Sequence, residues 1–436
     1  MFETVKNAFK VKEIRKRILF TFVMLVIIRI GSQLPIPGVN SSFIQDFFAQ
    51  QTGDAFDFFD AFTGGSFLSM SILALNITPY ITSSIIMQLL TIVIPKLEEL
   101  QRDGDEGRKK IVSITRFVTV GLALMEATAM SIAFGAQGLL TDYNFTNVFV
   151  AIVAMVAGST FLMWVGERIT ENGIGNGISI VLTINIISRV PSDMASLYEK
   201  FVKGKSVAVG TLAALVILAI IVGMIILVIF LNDGTRKIPV QYAQKVQGRK
   251  MVGGQSSNIP LKINTSGVIP IIFAASLFQV PVVITSFLGN GSGTWTEIVK
   301  AFSSSNWFDK NNLQYNWGLL VYIVLIIFFA YFYTSITFNP TEVANNMKKN
   351  GGFIPGIRPG KPTSEYLHKI LQYIIFIGAC GLTLVAVLPF VFNGIFDAQV
   401  SFGGTSLIII VSVILDTVKQ VEAKMVVRNY RGFLND

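Results

Sequence analysis

The sequence predicts an all-α polytopic membrane protein with ten transmembrane helices in two inverted five-helix halves. Composition is the first reason: the 436 residues are 52% hydrophobic and 14% charged, whereas soluble domains carry about 25% charged residues. The second reason is that ten segments are long and apolar enough to approach the roughly 20 residues that a spanning helix needs. The third is that the Lys and Arg residues fall mainly on one side of these segments.

The predicted spans divide the chain evenly. They are residues 18–34, 67–94, 112–134, 147–166, 174–190, 208–231, 265–288, 316–338, 368–392 and 403–421. The first run follows a basic start, but no small-residue cleavage pattern comes after it, so we interpret it as a retained span rather than a signal peptide. Five spans in each half give the second half the opposite orientation in the membrane, as in proteins that form a path between inverted repeats.

Charge predicts the orientation of these spans. If the N-terminus is cytoplasmic, 28 of the 35 Lys and Arg residues lie in cytoplasmic segments. Lys200, Lys203 and Lys205 run against this distribution but are too few to reverse it. The positive charge therefore places both termini in the cytoplasm.

This topology divides the chain into consecutive parts. They are a cytoplasmic N-terminal segment, residues 1–17; a first half, 18–190; an external hinge loop, 191–207; a second half, 208–421; and a cytoplasmic tail, 422–436. The second half contains two large cytoplasmic loops, residues 232–264 and 339–369.

Composition and motifs argue against several kinds of chemical site. One Cys and one His are too few for a disulfide framework or a Cys/His metal site. The Gly-rich stretch GERITENGIGNGISI, residues 166–180, lacks the Lys of a phosphate-binding GxxxxGK[ST] loop and is interpreted as a tight turn leading into span five. We therefore predict no catalytic residue, no metal and no cofactor.

Two regions allow more than one interpretation. GDAFDFFDAFTGGSFLSMSILAL, residues 53–75, is either an interfacial helix or a short element folded back into a cavity. The two basic loops reflect topology alone, or they dock an acidic partner or RNA phosphate. Their length, the Pro-Gly punctuation of GFIPGIRPG and the alternating stretch VQYAQKVQ, which is compatible with a hairpin, favour ordered docking surfaces.

Ionisable side chains inside the predicted spans are rare. They are chiefly Arg29 and Glu126, with the amides Gln88 and Asn264 near the cytoplasmic ends. A secondary transporter would require substrate and ion ligands near the midplane, and this shortage counts against one. An intramembrane protease would require a Ser/His or Asp pair within the spans, but the only His, His368, is at a cytoplasmic end.

Five stretches, in order along the chain, carry a resemblance to a known family. They are LNITPYITSSIIMQLL, MWVGERITENGIGNGISI, QGRKMVGGQSSNIPLKINTSGVIPIIFA, FNPTEVANNMKKNGGFIPGIRPG and FGGTSLIIIVSVILD. They resemble the SecY family of protein-conducting channel subunits, over about residues 10 to 430. The resemblance implies a passive channel of the bacterial plasma membrane. Such a channel translocates unfolded secretory polypeptides and releases signal sequences and transmembrane segments into lipid through a lateral gate.

The resemblance also implies roles for particular residues. An aliphatic pore ring is formed by Ile77, Ile81, Leu182, Ile186, Ile272 and Ile409. A plug at about residues 56–70 includes Phe58, Phe59, Phe62, Gly64, Gly65 and Phe67. A polar cluster at the lateral gate, where spans two and three face spans seven and eight, is formed by Gln88, Glu126 and Asn264. The motor and ribosome docking residues are Arg236, Lys237, Lys245, Arg249, Lys250 and Arg358.

The same resemblance explains why span two has a polar start. NITPY, residues 76–80, would begin a helix beside a water-filled funnel, where protein and water satisfy the freed backbone groups. Ile77 and Ile81, four residues apart, would then lie one above the other and face the pore. A narrow aliphatic ring excludes ions by dewetting, yet its flexible side chains part for an extended polypeptide.

The implied partners follow from the family. They are a SecE-like subunit that clamps the two halves, a SecG-like subunit, the SecA ATPase, a translating ribosome with its rRNA, signal sequences, nascent polypeptides and the lipid bilayer. ATP hydrolysis is expected in SecA, because the chain carries no nucleotide-binding motif. Two residues depart from the family pattern: Leu182 stands where Ile is common, and Lys237 stands where Arg is frequent and so lacks its planar fork.

Overall fold

A computed structural model describes most of the chain. The described residues are 9–40, 43, 63–203, 206–242, 245–247, 250–252, 256–288, 293–302, 307, 313–396 and 404–432. Within them, a helix overlaps each of the ten predicted spans. The first five of these helices are α1 (Lys12–Gly31), α2 (Thr78–Val93), α4 (Asp105–Phe134), α5 (Phe145–Asn172) and α6 (Gly177–Phe201). The second five are α7 (Val207–Asp233), α8 (Ile269–Leu288), α10 (Asn316–Thr337), α12 (Lys361–Phe396) and α13 (Gly404–Gly432).

Shorter elements connect these helices. They are α3 (Pro95–Arg102), α9 (Thr294–Phe302) and α11 (Pro340–Lys349), with strands β1 (Thr235–Tyr242), β2 (Lys245–Gln247), β3 (Lys250–Val252), β4 (Ser256–Lys262) and β5 (Gly352–Phe353). In the described part of the chain, six helices are long and apolar enough to cross a membrane. The count rises to seven if α2 and α3, which meet at a 101° bend, form one broken span. This composition confirms a multi-pass membrane protein.

The ten long helices pack as two groups of five. In the first half, α5 contacts α1, α2, α4 and α6. In the second half, α8 packs on α10, α10 on α12, and α7 on both α12 and α13. The halves meet along α6 and α13 on one side and along α4 and α8 on the other. They therefore enclose a central region that both halves line.

Span two begins later than the sequence predicts. Residues 63–77, partly inside the predicted span 67–94, form a series of buried turns, and the helix starts at Thr78 with Pro79 in its first turn. Met70 and Asn76 have positive φ angles of 44° and 52°, which a helix does not accommodate. An apolar run alone does not distinguish such a packed irregular segment from a helix.

Backbone partners explain how this irregular segment is stable. The Ile36 N–H donates to the Met70 carbonyl at 3.0 Å, and the Ile72 N–H donates to the Leu34 carbonyl at 2.9 Å. The Ile72 carbonyl also lies directly against Gly158 of α5, where an added Cβ would be 2.0 Å from the oxygen. The glycine therefore allows the segment to pack against α5 at backbone distance.

The two large cytoplasmic loops of the prediction form one body. Strands β4, β1 and β5 make an antiparallel sheet in that order, so β5 of the second loop pairs with β1 of the first at Gln241 and Phe353. Strands β2 and β3 form a separate two-stranded ladder, which confirms that part of VQYAQKVQ pairs in a hairpin. Apolar residues from both loops and α12 share a core: Ile238, Val240, Leu261, Met347, Ile354, Leu367, Ile370 and Ile374.

The first and last described helices meet at one end of the bundle. Ile14 of α1 and Ile174 of the α5–α6 turn form a small buried cluster. Val421 and Met425 of α13 pack against it. Burial lowers the pKa of the nearby Lys424, the Arg17 charge lowers it further, and Glu13 raises it. The N-terminal part of α1 and the C-terminal part of α13 thus lie on the same side, as the predicted topology requires.

Replacing Gly158 by Ala tests the backbone contact with residues 63–77. We expect Gly158→Ala to lower the free energy of unfolding by about 1–3 kcal/mol, because the methyl group overpacks the site. Gly121→Ala on α4 is the matched control, since nothing lies within 4 Å of a Cβ there. The helix propensity of Ala makes the control neutral or slightly stabilising. Thermal unfolding in detergent measures both, and equal midpoints would contradict the contact.

Candidate functional site

An apolar cluster lies where the two halves meet. Its buried members are Ile28, Leu73, Ile77, Leu162, Val165, Ile169, Val181, Leu182, Ile186 and Ile409. We call this set the central cluster. It joins α1, the start of α2, α5 and α6 of the first half to α13 of the second. Nine of its ten buried members therefore come from the first half, and Ile409 comes from the second.

Five of the six predicted ring residues belong to this region. Ile77, Leu182, Ile186 and Ile409 are buried members of the central cluster, and the half-buried Ile81 packs against it. The sixth, Ile272, is half-buried and lies outside the cluster as the structure defines it. It is one turn along from Val268, whose carbonyl accepts the Ile272 N–H at 3.2 Å and whose side chain packs against the cluster.

Helix geometry explains why these residues converge. Ile81 N–H donates to the Ile77 carbonyl at 3.1 Å, so both project from the same face at the start of α2. Leu182 and Ile186 have the same four-residue spacing on α6, which places them on one face of that helix.

The predicted Gly-rich turn fixes the start of α6. The Asn176 Oδ1 accepts from the backbone N–H groups of Ile178 and Ser179 at 3.1 and 3.4 Å, an N-cap for the helix. From α1, Arg17 Nη1 donates to the carbonyls of Glu171 and Gly173 at 3.2 and 3.3 Å. The stretch is therefore a turn, as predicted, and it is held against α1. Sequence analysis gave no sign of this role for Arg17.

The predicted plug is described only in part. Phe58, Phe59 and Phe62 lie outside the described residues. The carbonyl of Gly64 accepts hydrogen bonds from Arg29 Nη1 and Ser188 Oγ, each at 3.4 Å, which connects it to α1 and α6. Gly64 and Gly65 have positive φ angles of 66° and 85°. Phe67 is buried in a separate first-half core with Met70, Ala123, Met155 and others.

The predicted polar residues of the gate do not form a cluster in this structure. Ser83 Oγ donates to the Thr115 carbonyl at 2.8 Å, which sets the register of the antiparallel helices α2 and α4. Gln88 lies five residues beyond Ser83 in one direction, and Glu126 lies eleven residues beyond Thr115 in the other. At 1.5 Å per residue, the two are about 24 Å apart along the helix axes.

Asn264, the third predicted gate residue, is not hydrogen-bonded to the other two. Asn264 lies between β4 and α8 and is 5% exposed, and its Oδ1 has no hydrogen-bond partner among the described residues. Gln88 is exposed and donates to Ser84 Oγ at 3.5 Å. Among the described residues, no hydrogen bond joins any two of Gln88, Glu126 and Asn264, so the predicted polar cluster is not present in this structure.

Three of the six predicted docking residues lie on the two-loop body. Arg236 and Lys237 are exposed on β1, and Arg358 is exposed in the turn after β5. Lys245 and Lys250 belong to the β2–β3 ladder, where Lys250 is opposite Gln247. Arg249 lies outside the described residues. Pairing of β1 with β5 brings the two loops together, a non-local contact that neither loop sequence indicated.

A buried amide pair beside the central cluster was also not predicted. Asn185 Nδ2 donates to Asn76 Oδ1 at 3.1 Å. The polar character of Asn76 was apparent from the sequence, whereas Asn185 is an isolated amide among the apolar residues of span five. With respect to metal sites, no group of three His, Cys, Asp or Glu side chains comes together within the described residues.

Sequence comparisons match the chain over nearly its whole length. The SecY family model matches residues 71–418. The protein translocase subunit SecY of Corynebacterium glutamicum is 42% identical, and the alignment covers 98% of this chain and 99% of that protein. The subunit of the same name from Halalkalibacterium halodurans is also 42% identical, with 100% of both chains covered.

Solved structures share the fold at lower identity. A protein conducting channel has a TM-score of 0.61 and 18% identity, with 94% of this chain and 93% of that chain covered. A SecY protein whose plug domain stabilises the closed channel has a TM-score of 0.59 and 18% identity, with 94% and 92% covered. Sec61 in a canine ribosome–channel complex has a TM-score of 0.59 and 17% identity, with 94% and 93% covered. Together with the family match and the relatives at 42% identity, these likenesses lead to one assignment: the chain belongs to the SecY family.

Proposed function

We propose that this chain is the channel subunit of a protein translocase. It conducts unfolded secretory polypeptides across the bacterial plasma membrane and releases signal sequences and transmembrane segments into lipid. The central cluster is the observation that carries this proposal, because aliphatic side chains from both halves pack together where the halves meet. The relatives at 42% identity are named as protein translocase subunits, which supports the same activity.

The pore ring is the element that seals the resting channel. Ile77, Leu182, Ile186 and Ile409 are each no more than 7% exposed, so these four side chains present almost no surface to water. An apolar constriction excludes ions by dewetting. Aliphatic side chains carry no fixed polar contacts, and they separate when an extended polypeptide enters. Ile81 and Ile272 complete the ring in this proposal.

The plug occupies the external side of the ring, at about residues 56–70. Its described end is attached to the first half through Gly64, whose carbonyl accepts bonds from α1 and α6. Both bonds are long, at 3.4 Å. Bonds of this length are weak, so the attachment at Gly64 adds little to the energy needed to displace the plug, whereas the burial of Phe67 in the first-half core adds more.

The lateral gate is the seam between α2 and α4 of the first half and α8 and α10 of the second. In support, α4 contacts α8, and Ile85 of α2 packs against an apolar cluster of the second half. Gln88, Glu126 and Asn264 remain gate residues in this proposal, each at its own depth. Apolar packing between the halves, rather than a polar network among these three residues, then stabilises the closed seam. An apolar signal sequence can replace this packing with a small change in free energy.

The two-loop body is the docking surface for cytoplasmic partners. Arg236, Lys237 and Arg358 are exposed on it, and they suit an acidic surface of the SecA ATPase or ribosomal RNA. The resemblance assigns Lys245, Arg249 and Lys250 to the same docking role. Energy comes from SecA or the membrane potential, and SecE-like and SecG-like subunits complete the complex. Both termini face the cytoplasm.

Shortening a ring residue tests the seal. We expect Ile409→Ala to raise the resting ion conductance in planar bilayers and to allow export of a precursor with a defective signal sequence. Ile414→Ala is the matched control, because Ile414 is on the same helix but 47% exposed, whereas Ile409 is 2% exposed. Equal conductance for the two variants would remove Ile409 from the ring.

Reversing the charge of Arg358 tests the docking surface. With SecA, ATP and a SecE-type subunit in vesicles, we expect Arg358→Glu to reduce precursor export strongly while the chain stays folded. Lys203→Glu provides a charge-matched control on the predicted external side. Export equal to that of the wild type would exclude Arg358 from docking. Uptake of a small solute without any precursor export would instead favour a secondary transporter.

A further inference from the structure

The buried amide pair of Asn76 and Asn185 connects two elements of the constriction. Asn185 Nδ2 donates to Asn76 Oδ1 at 3.1 Å, and the residues are 2% and 1% exposed. Buried amides are costly unless their polar atoms are paired, because no water replaces a missing partner. The pair is therefore a specific contact between the start of α2 and the middle of α6, rather than a solvated surface interaction.

Each member of the pair directly precedes a ring residue. Asn76 is followed by Ile77, and Asn185 is followed by Ile186. Ile77 and Ile186 are both buried in the central cluster, at 0% and 2% exposure. The hydrogen bond joins side chains one residue away from these positions. It therefore fixes the separation of the two backbones from which the isoleucines project.

Asn76 also meets a backbone requirement. Its φ angle of 52° lies in the left-handed region, which Gly and Asn adopt more readily than other residues. Its N–H donates to the Leu73 carbonyl at 2.9 Å, which closes the last turn before α2. Glycine would satisfy this conformation without the side-chain bond, so the two contributions of Asn76 can be separated by mutation.

The predicted plug touches the same place. A Cβ added to Gly64 would lie 2.8 Å from the Asn185 carbonyl oxygen and 2.9 Å from its Cα. The segment that enters the plug thus packs directly on the backbone of Asn185. A shift of Asn185 would change both the ring and the seat of the plug.

From these contacts we propose that the Asn76–Asn185 pair is a specificity-determining element of the channel. It positions Ile77 against Ile186 in the closed state and so sets how strong a signal sequence must be to open the constriction. This inference rests on the proposed function, because it takes the central cluster to be the pore ring. The two amides are positioning residues, since they act through the isoleucines beside them.

A double-mutant cycle tests the pair in the complex with a SecE-type subunit. The variants are Asn76→Gly, which keeps the backbone conformation, Asn185→Ala, which suits a helix interior, and their combination. The measured quantity is the export of a precursor with a defective signal sequence divided by the export of the intact precursor. We expect each single variant to raise this ratio at least about fivefold, the factor that corresponds to a bond worth about 1 kcal/mol.

Two features distinguish positioning from a general structural role. The double variant should raise the ratio no further than either single variant, because all three lack the same bond. Export of the intact precursor should persist, whereas a merely destabilised protein would lose both activities together. Asn147→Ala is the control: its Nδ2 donates to the Asp142 carbonyl at 2.9 Å, far from the central cluster. Its ratio should equal that of the wild type.

The remaining outcomes overturn the inference in separable ways. Unchanged ratios in the Asn variants, with a raised ratio in Ile409→Ala, would reject the pair and leave the ring standing. Unchanged ratios in all of these variants would reject the ring and the pair together. Additive effects in the double variant would also reject the pair, because the residues would then act independently. If Asn185→Ala does not fold, Asn76→Gly alone decides, since a wild-type ratio there rejects the pair.

Discussion

Backbone that leaves a helix at membrane depth must find its hydrogen-bond partners within the protein, and the rest of this structure depends on how residues 63–77 meet that requirement. The segment bonds to the loop after α1 at Ile36 and Leu34 and packs on α5 at Gly158. Because backbone groups of this segment have hydrogen-bond partners in the protein, α2 can begin at Thr78, part-way through the bundle. A full-length helix in its place would fill the centre, and the apolar closure between the halves would be lost.

Sequence reasoning predicted the helices well because their signal is local. A helix overlaps each of the ten apolar runs, but in span two it begins only at Thr78, so Phe67 to Leu75 are not helical. Hydrophobicity reports burial, and a packed turn series is as buried as a helix. The ring depended on family resemblance, since an Ile that faces a pore and an Ile that faces a neighbouring helix are identical in sequence. Five of the six assigned residues come together, whereas the three assigned gate residues do not.

Contacts between distant parts of the chain could not be predicted from the sequence. The pairing of β1 with β5 joins residues more than a hundred positions apart, and a strand of two residues carries too little pattern to identify. The amide pair of Asn76 and Asn185 is similar, because the partner of a buried Asn depends on tertiary packing. The pairing of the strands has a structural consequence: β4 leads into α8, so the sheet connects β5 to a helix that contacts the first half.

The contact between Ile14, Ile174 and Met425 has a consequence for how the protein is made. Helix α1 leaves the ribosome early, whereas α13 is the last described helix to be synthesised. Until α13 arrives, one side of the small cluster around Ile14 and the long face of α6 have no covering helix. These surfaces of the first half therefore remain without their packing partner until the end of the described chain is translated. The packing of α13 on this cluster and on α6 can therefore form only after α13 has been synthesised, and a chain that stops short of α13 leaves this apolar surface uncovered.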